Sequence, residues 1–211
     1  MNTEPDTMTK AFTPWNKGKP QGRKKELTFD EVRTIKSLLA AENALRDLVL
    51  FSVAVDTMLR SCDLLALRVS DVVDKDGTVV DEFTVGQDKV KGRAVIVSLT
   101  GDTQRLLKRW IKHSAKIRWD YLFTSLRNPT KPIDSSTYRQ LIKQWVRMAR
   151  LDPERYSSHS LRRTKSAMIY EATGNVEACR LLLGHKDVAV TSAYLGVSEK
   201  DALELAKRIG V

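Results

Sequence analysis

The segment ALRDLVLFSVAVDTML, residues 44–59, constrains the fold more than any other part of the chain, because it is apolar on almost every side. A helix without a polar face must be surrounded by protein. Residues 44–59 are therefore expected to form a buried central helix around which the other elements are arranged. The run is shorter than the roughly 20 apolar residues that cross a bilayer, and no other apolar run is longer. At 211 residues and 42% hydrophobic content, the chain has material for one ordinary domain with an appendage and needs no covalent staple. Its two cysteines, Cys62 and Cys179, are far apart and lack CxxC spacing, so both are expected to be reduced residues of helices or core.

Flanking signals set the boundaries. Residues 10–25, KAFTPWNKGKPQGRKK, hold six Lys or Arg, no acid, two Pro and two Gly. Such a stretch cannot bury enough apolar surface to fold, and residues 1–26 are expected to be a flexible basic arm. Lys17, Lys19, Arg23, Lys24 and Lys25 are its candidate DNA contacts, with a solvated tail as the ordinary alternative. Order is expected from Leu27, where Thr28 and Glu31 form a capping box and Ile35, Leu38 and Leu39 continue a helical stripe. The domain would then span 27–211. The opening MNTEPDTMTK lacks the basic and apolar regions of a secretory signal, so a cytoplasmic, nucleoid-associated location is expected.

Beyond the central helix, DKDG at 74–77 marks a turn, and TVVDEFTVGQ and RAVIVSLT read as two strands joined through DKVKG. Helical patterning then covers roughly 102–117, 135–149, 159–172, 175–183 and 198–208, with Gly174 and Gly184 as C-terminal caps. The expected class is α+β, mainly α, with a small antiparallel hairpin.

A net charge of +10 and a pI near 9.7 favour a polyanionic partner. HSLRRTKSAMIY, 159–170, sharpens this expectation. His159, Arg162 and Arg163 open a helix whose N-terminus is already partly positive, and a phosphate would satisfy both the free amides and the guanidinium fork. Arg163 is expected at the surface, on the DNA backbone. Lys165 and Lys186 are expected to be DNA-facing or solvated.

In chain order the chain presents Arg60 after the buried helix, Lys89 and Lys91 on the hairpin, HSLR with His159 and Arg162, LGH with His185, and Tyr194 nine positions later. The set resembles the tyrosine recombinase (phage integrase) family, over about residues 27–211 and in its catalytic domain. Paired guanidiniums suit the charge that develops on a phosphodiester's non-bridging oxygens, and Arg60 and Arg162 are the candidates. Asp63, one helical turn after Arg60, is placed to orient Arg60 or a nearby histidine. The resemblance implies that Tyr194 attacks phosphorus to give a 3′-phosphotyrosyl protein and a free 5′-hydroxyl, with no ATP and no cofactor. It implies also that a hairpin lysine protonates the leaving oxygen. The sequence QDKVKG favours Lys89 over Lys91 by its place after the QD pair. His159 and His185 would bond to the phosphate or assist proton transfer. They have no carboxylate or thiolate companions at metal-ligand spacing, so no metal is expected. Tyr121, Tyr138, Tyr156 and Tyr170 are read as structural.

Most family members place a helical core-binding domain before the catalytic domain. Here only the basic arm precedes it, which resembles the short fimbrial phase-variation recombinases. The resemblance implies double-stranded DNA with short inverted repeats as partner, a homo-tetramer when assembled on it, accessory DNA-bending proteins, and exchange of the amphipathic segment SEKDALELAKRIGV between protomers. A type IB topoisomerase-like relaxing enzyme and a non-catalytic DNA-binding regulator are the alternatives.

Overall fold

The computed structural model describes residues 24–86 and 94–197, together with Lys207. Candidate residues Lys17, Lys19, Arg23, Lys89 and Lys91 lie outside the described residues, as does nearly all of the helix expected over 198–208.

The central helix is α2, Leu45–Thr57, in which every residue from Leu48 to Thr57 is buried. Around it pack α1 (Phe29–Ala41), α5 (Gly101–Ser114) and α7 (Ser158–Thr173). Helix α6, Ser135–Met148, closes the core through Trp145, whose ring meets Phe51 edge-on at 5.6 Å and whose indole N–H donates to Asp47 at 3.0 Å. The capping box of α1 is formed as its sequence dictates. Glu31 N–H donates to Thr28 Oγ1 at 3.2 Å, and Thr28 N–H donates to the Glu31 carboxylate at 2.8 Å.

Helix α2 ends at Met58, which takes the left-handed conformation at φ 51°. This reversal lets Arg60 serve as the N-cap of a second short helix, α3 (Ser61–Ala66), followed by α4 (Val69–Val72). The helical turn read from Arg60 to Asp63 falls in α3, whereas α4 was not expected, since four residues are too few to show a helical period.

Strands β1 (Glu82–Gly86) and β2 (Ala94–Ser98) pair antiparallel, Glu82 opposite Ser98 and Gly86 opposite Ala94. Phe83, Val85, Val95 and Val97 alternate inward onto the core. The expected first strand began at Thr78, but Thr78 is drawn into the preceding turn, and Val79 and Val80 pair back with Val73 and Val72 instead. Asp74 Oδ1 accepts from the amides of Asp76 and Thr78, and Gly77 sits at φ 80°. Helix α5 likewise stops earlier than expected, because Ala115 turns left-handed at φ 49°.

Helices α7 and α8 (Val176–Leu183) end on Gly174 and Gly184, both at positive φ as their sequence positions imply. The region after Gly184 differs from the expectation, which assigned no helix there. Val188–Leu195 forms α9, capped by Asp187 accepting from Ala189 N–H at 2.8 Å and terminated by Gly196 at φ 78°. The run VAVT has β-branched character, and the Asp cap together with packing against α7 and α8 overrides it.

The arm boundary also moves. Residues 24–26, counted with the flexible arm, are laid against the fold: Lys25 N–H donates to Arg155 O at 2.8 Å, and Lys24 Nζ donates to Glu154 O at 2.7 Å. Lys25 also pairs with Glu31 at 3.2 Å, so both lysines expected to meet DNA have protein partners.

Candidate active site

Four elements converge on Tyr194: the start of α7, the N-cap of α3, the turn between α8 and α9, and α9 itself. Arg162 lies within the second turn of α7 with only 4% of its surface exposed. Its guanidinium is tied to backbone on both sides, donating to Met58 O and, at 2.7 Å, to Leu183 O. The left-handed turn at Met58 and the C-terminal end of α8 thus supply the acceptors that hold this arginine. A buried cation is costly unless bonded and paired, and here carbonyl dipoles carry part of the compensation. Burial lowers the Arg162 pKa; Tyr194 and Asp63 work against that shift, and Arg60 reinforces it. Arg60 and Arg162 therefore sit close enough to repel each other, as a site built to receive an anion requires.

Asp63 is buried on α3 and accepts from the Cys62 thiol at 3.5 Å. Its charge favours the Arg162 cation, so the acid expected to orient Arg60 or a histidine also acts on the second arginine. His159 stands exposed in the first turn of α7, below the reciprocal Ser157–Ser160 cap.

His185 is buried, with Nδ1 3.1 Å from Thr191 Oγ1. Thr191 directs its hydroxyl to Asp187 O at 3.3 Å, so its oxygen accepts from His185 Nδ1–H. That assignment leaves Nε2 as the basic nitrogen of the neutral ring. Arg180 braces the same turn, donating to His185 O at 2.8 Å while its own carbonyl accepts from His185 N–H. The imidazole meets the Tyr194 ring edge-on at 5.1 Å.

The Tyr194 hydroxyl oxygen is buried. Burial raises its pKa above the ordinary tyrosine value, while Arg162, Arg163 and Arg60 pull it back. Desolvation outweighs the three arginines, so the phenol is neutral. Tyr121, Tyr138 and Tyr156 have structural places: Tyr121 lies under Arg68 at 4.2 Å, Tyr138 is in the core, and Tyr156 OH donates to Glu31 at 3.3 Å.

Two expectations change here. Arg163, expected on the surface, is 6% exposed. Its guanidinium lies 5.5 Å from the Tyr194 ring centroid and 3.6 Å from Glu26. Lys165, expected to be DNA-facing or solvated, turns back to Asp56, with Nζ 3.3 Å from Asp56 O and 3.6 Å from the carboxylate. Both depart for the same reason: α7 packs against α2, α8 and α9, so cations on it find partners within the protein. Lys186 is exposed as expected. Sequence reasoning missed Thr191, Arg180 and Glu26. For Thr191 a signal existed, since Asp187 four residues earlier marks a helix N-cap.

The hairpin borders the site. A groove of about 480 Å³ runs between β2 and α8, and His185, Gly184 and Ile96 are among its walls. Among the described residues no cluster of three or more His, Cys, Asp or Glu could hold a metal ion, and no helix is long and apolar enough to cross a membrane.

Residues 25–201 match the model of the phage integrase family. The chain belongs to that family. Among curated relatives, a probable integrase/recombinase of Bacillus subtilis, YoeC, is 27% identical over 172 residues, covering 82% of this chain and 88% of that protein. Curated tyrosine recombinases are also similar, and of these the chain spans as little as 50% of the length, reaching 64% for XerA of Pyrococcus horikoshii. The crystal structure of XerA recombinase superposes with a TM-score of 0.71 at 24% identity, covering 90% of this chain and 66% of that one. That of the XerH site-specific recombinase bound to difH substrate does so with 0.68 at 18% identity, covering 88% and 55%. The fold is thus that of these recombinases, and the family match supports a site-specific DNA recombinase function.

Proposed function

We propose that this protein cleaves and rejoins double-stranded DNA through a 3′-phosphotyrosyl intermediate on Tyr194. The observation that carries the reading is the convergence of Arg60, Arg162 and Arg163 on one buried phenol. Such a cluster concentrates positive charge where a phosphodiester's oxygens become more negative during in-line displacement. Arg60 and Arg162 would hold the non-bridging oxygens. His185 Nε2 is the candidate to take the phenol proton as the Oη–P bond forms and the P–O5′ bond breaks. Lys89, or failing it Lys91, would protonate the leaving 5′-oxygen. His159, exposed at the start of α7, would bond to the phosphate where free amides also point outward. Because the bond energy is kept in the phosphotyrosyl link, a 5′-hydroxyl from another strand can reverse the step without a cofactor.

XerH is bound to its difH substrate in the structure that resembles this one, and double-stranded DNA carrying short inverted repeats is the proposed partner here. A homo-tetramer on DNA, accessory bending proteins and a nucleoid-associated location belong to the same reading. The exposed apolar residues Ile96 and Leu181 in the groove's walls support protein–protein contact there.

Covalent trapping tests the proposal. Wild type and Tyr194→Phe are incubated with fragmented genomic DNA, stopped with detergent, and the DNA held on protein is sequenced. Adducts that disappear in the variant and map to paired inverted repeats are expected. Scattered Tyr194-dependent adducts would indicate a topoisomerase-like relaxing enzyme. Adducts that persist in Tyr194→Phe would remove Tyr194 as nucleophile, and none with either protein, despite salt-sensitive binding, would favour a DNA-binding regulator.

A further inference from the structure

We propose that Arg163 is a positioning residue for Tyr194, clamped against the nucleophile's ring by Glu26; the proposal rests on Tyr194 being the nucleophile. Arg163 follows Arg162 directly, and successive helical residues point about 100° apart, so the two approach Tyr194 from different sides. Arg162 is tied to Met58 O and Leu183 O. Arg163 instead lies 5.5 Å from the ring centroid, with Glu26 at 3.6 Å. A second buried cation next to the first is unfavourable by itself, and a carboxylate and an aromatic face are both brought to it in compensation.

Glu26 is not there by chance of side-chain reach. The backbone on either side of it is docked, with Lys25 N–H donating to Arg155 O at 2.8 Å and Leu27 N–H donating to Thr164 Oγ1 at 3.2 Å. Thr164 is the residue after Arg163, so the same turn of α7 fixes both the arginine and the strand-like segment carrying its counter-ion. The guanidinium thus has the carboxylate and the phenol ring as neighbours at once. While the phenol is neutral, the guanidinium orients the ring through its π face. As the oxygen becomes anionic, the same charge favours the ionised form.

Among the described residues, the charged and titratable groups facing Tyr194 are Arg162 and Arg163 from α7, Arg60 from the cap of α3, and His185 from the turn before α9. Of these, Arg163 is the one set against the ring by a carboxylate from the N-terminal segment. This role differs from holding phosphate, which Arg60 and Arg162 perform in the proposed reaction.

The test compares Arg163→Gln, Arg163→Lys and Glu26→Gln in the full chain. Tyrosinate absorbance is titrated without DNA, over the pH range where circular dichroism shows the fold intact, and the Tyr194→Phe titration in each background is subtracted. Arg163→Gln is expected to move Tyr194 ionisation about one pH unit upward, which is about tenfold less tyrosinate at a given pH. The pH profile of covalent trapping should move alkaline by the same amount, with Arg163→Lys restoring part of it and Glu26→Gln shifting it less. If Arg163→Gln does not fold, Glu26→Gln carries the test at the rim of the site. Unchanged titration and pH profile in these variants would overturn the proposal, even if trapping fell uniformly at every pH. Persistent trapping by Tyr194→Phe would instead overturn the nucleophile reading, and the two failures are separate.

Discussion

Arg162 and Tyr194 are neighbours in space but stand on very different foundations. Arg162 starts from α7 and is gripped by the end of α2, the element whose residues Leu48 to Thr57 are all buried. Tyr194 stands on α9, where Thr191 and Leu195 are the buried residues and Val188 and Val190 face outward. Arg162, the proposed phosphate-receiving charge, is therefore fixed by the core, and the proposed nucleophile is carried by a thinly packed wall. The difference matches what each would do in the proposed reaction. Electrostatic stabilisation works only if the donors are held before the charge develops. A nucleophile that acts on command needs an element whose local opening costs less than global unfolding.

The largest expected effect breaks the comparison at its rigid side. Phe51→Ala removes a fully buried ring and its edge-on contact with Trp145, and should cost about 3–5 kcal/mol of stability. Leu195→Ala, on α9, should cost less, about 2 kcal/mol, since the helix can settle toward the gap. Urea unfolding of both proteins checks the order. Equal losses would mean that α9 is as firmly part of the core as α2.

The same contrast governs what the sequence reveals. The buried helix, the capping box at Thr28 and the glycine caps at Gly174 and Gly184 are readable, because each depends on residues adjacent in the chain. The order of Arg60, His159, Arg162, His185 and Tyr194 is readable too, and it gave the family. What is not readable depends on direction in space. Arg163 and Lys165 look like surface cations in a basic stretch, and nothing local says that α7 is packed against α2, α8 and α9. Helix α9 is hidden because its composition favours a strand, while its cap and its neighbours decide otherwise.

An intermediate effect tests the thin wall alone. Thr191→Val keeps the shape of the side chain and removes the oxygen that accepts from His185 Nδ1. The imidazole then loses the bond that fixes its orientation and tautomer, and trapping should fall roughly tenfold, part of the 10²–10⁴ a positioned base contributes. Unfolding should change by about 1–3 kcal/mol, since the buried Nδ1–H is left without its acceptor. A fall in trapping that tracks lost stability would show that Thr191 supports α9 rather than the histidine.

The smallest effect concerns the seam between the two foundations. Lys165, the residue after Thr164 on α7, reaches Asp56 near the end of α2, and Asp56 Oδ2 in turn accepts from Thr100 N–H at 2.9 Å and Thr100 Oγ1 at 2.8 Å. The carboxylate thus already has two neutral donors that fix the start of α5, and the lysine is an additional, partly exposed partner. Lys165→Met keeps the apolar stem against α2 and should cost under about 1 kcal/mol, the range of ion pairs that water still screens. Asp56→Asn should cost more, because it weakens the helix cap as well as the pair. Thermal melts of the two variants rank them. If Lys165→Met proved the more damaging, the ammonium would be the main tie between α7 and α2, and the rigid placement of Arg162 would depend on a surface-accessible charge instead of on the core.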